Sequence, residues 1–270
     1  MEKKKEDDFE NWPRIKKVQT GIRKKFHSQL FTKFAKALNL YNLLKENDSV
    51  AIYVESEPRS VLLAFMFQEI LRHGKFDFSV RWFLNEKDMS AESKKEIEDV
   101  FVAASLSYER LELSKDIKTY AEHALEAGCN LVADMTCYDE ATAVFLSNMI
   151  NNACIKACMP REEICGITVI RPLYNVSREE IIHFSKYCGF ESLSLDDSLR
   201  WVNDTKIQDT MELIAKLKEN NKFADSNIFA AMENVNLNTV IGYRKDKENK
   251  SFLDWYDDYT QELYVVGQDS

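Results

Sequence analysis

Along residues 27–44, Leu30, Phe31, Phe34, Ala37, Leu38, Tyr41 and Leu44 recur three or four positions apart, the spacing of one helix face. The pattern then switches. Residues 50–54, Val-Ala-Ile-Tyr-Val, follow Asn47, Asp48 and Ser49 as a short unbroken apolar run, which predicts a buried strand. Residues 61–71 are apolar nearly throughout and long enough for a helix. The alternation repeats, predicting strands over 78–84, 108–113, 130–133 and 168–170, and helices over 91–104, 119–127, 140–151 and 177–188. Ser90 opens one helix, Gly128 closes another, and Ser177 followed by Glu180 is a capping box. Strands alternating with helices through short connections predict an α/β fold: a parallel five-stranded sheet with helices on both faces, Rossmann-like. Ligands of such sheets sit beyond the carboxyl ends of the strands, near the topological switch point, so the turn after the first strand is the place to look. Residues 205–240 carry helical periodicity and no strand signal, and read as a C-terminal helical appendage.

The predicted organisation is a basic N-terminal tail over 1–21, an α/β domain over 22–190, a helical segment over 191–245 and an acidic, aromatic tail over 246–270. Two basic clusters, Lys3 to Lys5 and Arg23 to Lys25, mark the N-terminal side. Both ends read as solvated and frayed, with a basic arm that touches RNA as the alternative for the first. Trp255, Tyr256, Tyr259 and Tyr264 have two readings, docking on the domain or docking on a partner.

Composition narrows the class. Of 270 residues 45% are apolar and 30% charged, with only seven glycines and four prolines, which excludes disordered, collagen-like and linker-rich chains. The net charge of −9 repels phosphate backbones on average, so a nucleic-acid partner needs a local basic patch. The charged beginning lacks a secretory core, and the strongest apolar run, residues 61–67, is too short to span a bilayer. Six cysteines without a disulfide-type framework complete the picture of a cytoplasmic chain with reduced thiols and no membrane partner. His27, His73, His123 and His183 show no metal-ligand spacing, while Cys154 and Cys158 are spaced to meet on a helix face.

The first strand runs into Glu55, Ser56, Glu57, Pro58, Arg59 and Ser60, and then into the apolar helix. A strand, a six-residue turn ending in serine and an apolar helix resemble the PP-loop ATP pyrophosphatase superfamily, whose fold is adenine nucleotide alpha hydrolase-like. Its catalytic loop is typically SGGKDS, of which only Ser60 is kept; the non-catalytic subunit of cytosolic tRNA thiolation carries SGGPSS, which Pro58 and Ser60 both match. Residues 30–38 (LFTKFAKAL), residues 169–184 with Arg171, Pro172 and Glu180 in register, and residues 205–233 are similar to that same family, cytoplasmic tRNA 2-thiolation protein 2. The likeness covers roughly residues 22–245, and the tRNA 2-thiocytidine branch matches less well at the loop. Cysteine pairs that the family carries near its ends have no counterpart, since the first cysteine is Cys129 and the last is Cys188.

The resemblance implies a chemistry in which catalytic members bind ATP at the loop, adenylate a tRNA base and let sulfur displace AMP. Three requirements follow. The loop must cradle pyrophosphate with backbone N–H groups, for which glycine is suited. Here Ser56 and Glu57 stand at the glycines and Pro58 at the lysine, so Glu55 and Glu57 outweigh Arg59. One extra like charge at 4 Å costs about 1 kcal/mol in water and about 4 at an effective dielectric of 20. The larger figure weakens binding roughly a thousandfold. Ser56, Arg59 and Ser60 remain the candidate nucleotide contacts for Mg-ATP, and Arg171 a candidate anion or tRNA contact or else a strand-end anchor. At the fourth strand end, Asp139 and Glu140 are either Mg²⁺ ligands or acids that open a helix. Reactive cysteines are the third requirement; residues 114–119 and 191–204 contain none, so no iron–sulfur cluster is expected. Two functions follow from the resemblance: a non-catalytic subunit that pairs with a catalytic PP-loop relative to 2-thiolate the wobble uridine of tRNA, or an ATP-dependent tRNA sulfurtransferase working through an altered loop without a cluster.

Overall fold

A computed structural model describes residues 11–74, 76–193 and 205–255. Lys3 to Lys5, the 194–204 part of the cysteine-free stretch, and Tyr256, Tyr259 and Tyr264 lie outside them.

The predicted strands and helices alternate in the order expected. Strands β1 (Ser49–Val54), β2 (Ser79–Asn85), β3 (Tyr108–Leu111), β4 (Leu131–Ala133) and β6 (Ile167–Ile170) all run parallel to one another. The sheet has six strands rather than five, in the order β3-β2-β1-β4-β6-β5. The added one is the edge strand β5 (Arg161–Ile164), antiparallel to β6. Cys165 and Gly166, at φ 51° and 83°, join the two as a two-residue turn with both residues left-handed, the geometry that suits a twisted hairpin.

The chain runs outward from β1 through β2 to β3, then crosses back to place β4 on the other side of β1. This reversal puts the switch point between the ends of β1 and β4. Alternate side chains of β1 feed two cores. Val50, Ile52 and Val54 pack with α3 (Pro58–His73), α2 (Phe31–Leu40), α4 (Ala91–Ala103) and α7 (Arg178–Cys188). Ala51 and Tyr53 pack with Tyr120, Ala121 and Ala124 of α5 (Ile117–Glu126) on the opposite face. α6 (Tyr138–Asn152) follows β4, and α8 (Thr205–Asn220) packs on α6. Among the described residues no helix is long and apolar enough to cross a membrane.

Residues 14–25 are not a frayed tail. α1 (Arg14–Thr20) and the π-turn Gly21–Lys25 bury Val18 and Ile22, and Arg14 reaches Glu96 and the Gly189 carbonyl, each at 2.9 Å. Amphipathic packing thus outweighs the basic composition of the segment. The chain divides into two units, Met1–Asp225 and Ser226–Ser270. α9 (Ala224–Ala231) spans that boundary. The second unit contains a hairpin, β7 (Gly242–Lys245) and β8 (Glu248–Ser251), which straddles the boundary expected at residue 245. There Trp255 packs on Tyr243 and donates from Nε1 to the Asn238 carbonyl.

Candidate functional site at the switch point

The loop after β1 is stapled by Ser60. Its hydroxyl accepts from the Glu55 N–H at 3.0 Å and faces the Glu57 and Glu55 carbonyls at 2.8 and 3.0 Å. Glu57, in extended conformation, is the N-cap of α3, and Pro58 occupies its first position, where a fixed φ suits the helix and the missing N–H is least needed. Glu55 is buried, and its carboxylate accepts from the Tyr120 hydroxyl at 2.7 Å. Tyr120 in turn accepts from Asn85 Nδ2 at 2.7 Å, and Asn85 is fixed by both the N–H and the carbonyl of Leu113. One hydrogen-bonded chain therefore ties β1, the end of β2 and α5.

Arg59 turns inward. It is 2% exposed and donates from Nε and Nη2 to the two oxygens of Glu57 at 3.1 and 2.8 Å. Its Nη1 forms an ion pair with Glu140 Oε1 at 2.5 Å. Glu140 is the third residue of α6, and its other oxygen accepts from the Cys137 N–H at 3.1 Å, closing a capping box at that helix start. A Glu–Arg–Glu triad thus bridges the start of α3 to the start of α6, across the point where strand order reverses. Burial works to lower the Arg59 pKa, but Glu140 and Glu57 outweigh it and hold the pKa above the ordinary value. Arg59 therefore stays charged, held between the Glu57 and Glu140 carboxyl groups. Cys137 beside it is pushed up by burial and then by Glu140, which keeps it a thiol.

A second ion pair lies at the end of β6. Arg171 is buried, and its Nε sits 3.7 Å from Asp134 Oδ2 at the end of β4. It also bonds to Glu162 of β5 and to the Met159 carbonyl. Those contacts hold the edge strand to the sheet. Asp139 goes elsewhere: its carboxylate accepts from the Arg178 N–H at 2.6 Å, and burial raises its pKa. It lines a cavity of about 610 Å³ between α6 and α8 with Tyr138, Thr142, Met211 and Lys218, whereas Glu140 points to Arg59.

The structure brings Ser60, Arg59 and Glu140 together, leaves Ser56 half-buried in the same loop, and separates Asp139 and Arg171 from them by partner choice. The consecutive acids at 139 and 140, candidate Mg²⁺ ligands, face different neighbours, Asp139 the Arg178 N–H and Glu140 the Arg59 guanidinium. Among the described residues no three His, Cys, Asp or Glu side chains are grouped to hold a metal ion. Cys154 and Cys158 are not on a helix face, because α6 ends at Asn152 and Ala153 turns left-handed at φ 48°. Glu57, Tyr120, Asn85 and Asp134 are site residues that sequence reasoning did not nominate. Glu57 carried a signal, two residues before Arg59; the others come from the end of β2, from α5 and from just after β4, far apart in sequence, and leave none. The donor set does not fit a triphosphate, since the loop itself carries Glu55 and Glu57 and its arginine, Arg59, is held by the carboxylates of Glu57 and Glu140.

No family model matches the sequence, and no curated protein matches it. Among solved structures, the chain is similar to the U34-tRNA thiolase NcsA of Methanococcus maripaludis, solved with its 4Fe-4S cluster. The TM-score is 0.56 at 13% identity, over 77% of this chain and 78% of that one. Lesser likenesses are to phosphoadenylyl-sulfate reductase of Candida auris (TM-score 0.40, 10% identity, 67% of this chain and 89% of that one) and to yeast FAD synthetase (TM-score 0.39, 8% identity, 63% and 64%). The chain therefore shares the α/β fold of that thiolase, and Glu55, Ser56, Glu57, Pro58, Arg59 and Ser60 form the connection from its first strand into α3.

Proposed function

We propose that this chain is a non-catalytic PP-loop subunit of a cytoplasmic tRNA 2-thiolation complex, which supports a catalytic relative and does not itself activate tRNA. The observation that carries this reading is the buried Glu57–Arg59–Glu140 triad. The loop cation, which in an anion site would face the ligand, is turned to two carboxylates. An arriving pyrophosphate meets a buried cluster of net charge −1 and a proline in place of the lysine. The fold likeness to a U34-tRNA thiolase supports the tRNA-thiolation part of the reading. The intact sheet, cores and capping boxes beside the altered loop support the loss of chemistry without loss of fold.

The test is purification of the tagged full chain from its own cells, with mass spectrometry of what accompanies it and analysis of wobble thiolation after deletion. An SGGKDS-bearing protein in stoichiometric amount, together with loss of 2-thiouridine, is the expected result. A free monomer with thiolation unchanged overturns the reading. Calorimetry with Mg-ATP separates the active-enzyme alternative: micromolar binding followed by AMP release by the isolated chain is the result that would establish it.

A further inference from the structure

The negative charge of the molecule is unevenly placed. Between residues 11 and 45 there are nine Lys and Arg and no Asp or Glu. The fold decides how much of that charge reaches solvent. Glu69 of α3 accepts from Arg23 Nε and Nη2 at 2.9 and 2.8 Å, with Arg72 at 3.8 Å and His73 at 3.2 Å from the same carboxylate. Glu96 pairs with Arg14 at 2.9 Å and Glu180 with Lys33 at 2.7 Å. In each pair the carboxylate is the more covered partner: side-chain exposures are 10, 14 and 18% for Glu69, Glu96 and Glu180, against 39, 28 and 38% for Arg23, Arg14 and Lys33. The acids meet the cations from below, and the outer layer is basic. Lys24 and Lys25 extend it, both exposed. The Lys25 ammonium lies 4.1 Å over the ring of Tyr187, next to the exposed Lys186. At the other end of the segment Lys16 lies 3.7 Å over Trp12.

We propose that the surface made by Arg23, Lys24 and Lys25 of the π-turn, Arg72 and His73 at the end of α3, and Lys186 of α7 binds the phosphate backbone of a structured RNA. The argument is charge complementarity on a chain whose net charge otherwise opposes it. Arg23, Arg72 and His73 are gathered around the single buried carboxylate of Glu69, which pre-orders them for phosphates. Arginine edges and lysines beside aromatic faces are the groups that contact RNA backbone and flanking bases. The surface is distinct from the switch-point loop. α3 has 16 residues and spans about 24 Å, and the loop opens one end of it while Arg72 and His73 close the other. The inference does not depend on the role proposed for the loop, because its readout is RNA binding by the isolated chain.

The experiment is fluorescence anisotropy of the full chain with a labelled tRNA transcript between 50 and 200 mM salt, with soluble polyglutamate as competitor. With about four phosphates neutralised, affinity falls about 100-fold across that fourfold salt range; removing two cations leaves a fall of about tenfold. Lys24→Gln with Lys25→Gln is expected to weaken binding at 50 mM salt and to flatten the salt dependence in this way. The unfolding midpoint is measured alongside, and Lys118→Gln, exposed on the first turn of α5, is expected to leave the RNA curve unchanged. Absence of tRNA binding at 50 mM salt overturns the proposal, as does binding that the double variant leaves intact. Displacement of tRNA by polyglutamate at equal charge also overturns it, since that result assigns the surface to an acidic protein.

Discussion

Removing the Arg59 guanidinium strands two carboxylates, because Glu57 and Glu140 are 1% and 2% exposed and both lie within ion-pair distance of it. Breaking a buried ion pair from one side costs about 3–5 kcal/mol, most of it the uncompensated charge left behind. Arg59→Met is therefore expected to lower the unfolding free energy by about that amount in urea titration, with the slope unchanged. A change of under about 1 kcal/mol would mean that water reaches the carboxylates and the triad is not sealed. The cysteines make a second residue-scale case. Burial is the first cause of a Cys158 pKa pushed up to about 11, and it also raises Cys137 and Cys188, while Cys154 and Cys165 are exposed. The thiolate is the reacting species, so a two-unit rise alone slows alkylation about a hundredfold. Iodoacetamide at pH 8 under native conditions should label Cys154 and Cys165 first, and peptide mass spectrometry should find Cys137, Cys158 and Cys188 modified only after denaturant is added. Early labelling of Cys137 would contradict its place behind Glu140.

At the scale of elements, the interior of the sheet was legible and its edge was not. β1 and β4 are buried on both faces and read as unbroken apolar runs, so length and composition sufficed to find them. β5 reads Arg-Glu-Glu-Ile and alternates between exposed and half-buried, which is how an edge strand avoids pairing with other chains, and it therefore looks like a loop to a hydrophobic criterion. The remaining signal was Gly166, but Cys165 before it is an unusual first residue for a turn that needs two positive φ values. That mismatch is testable. Asparagine tolerates the left-handed region better than cysteine, so Cys165→Asn should stabilise the hairpin by about 0.5–1 kcal/mol, while Gly166→Ala should cost about 1–2 kcal/mol. Thermal melts of both variants against the parent check the pair of signs; equal midpoints would mean that the β5–β6 connection frays independently of the sheet. The helix starts were easier, because Ser90 and Ser177 act as caps within three residues of their partners and the signal is wholly local.

At the scale of the whole molecule, alternation of elements conveyed the α/β fold and thereby the location of the candidate site, while the partners that fill that site came from residues 85, 120, 134 and 140, whose approach depends on strand order. The N-terminal segment is the case where composition misled. Its lysines and arginines read as solvation, yet Val18, Ile22 and Phe26 form an apolar stripe at helical spacing, and the stripe rather than the charge decides its fate. Phe26 meets Phe184 and Tyr187 edge-on at 6.2 and 5.4 Å, and Gly21 lets the backbone approach Phe184 so closely that a Cβ there would stand 3.0 Å from its ring. Full burial of three such side chains contributes roughly 5–9 kcal/mol, at about 1.5–3 each. That range is comparable with the whole stability of a typical domain, about 5–15 kcal/mol. Deletion through residue 26 also strips Arg14 from Glu96 and Arg23 from Glu69, leaving both carboxylates against the core they now flank. A chain so truncated is expected to lose its cooperative unfolding transition by circular dichroism, or to melt more than about 10 °C lower, since each kcal/mol moves the midpoint about 2–4 °C in a chain of this size. A dispensable basic tail would instead leave the melt where it was, and that outcome would return the segment to solvent.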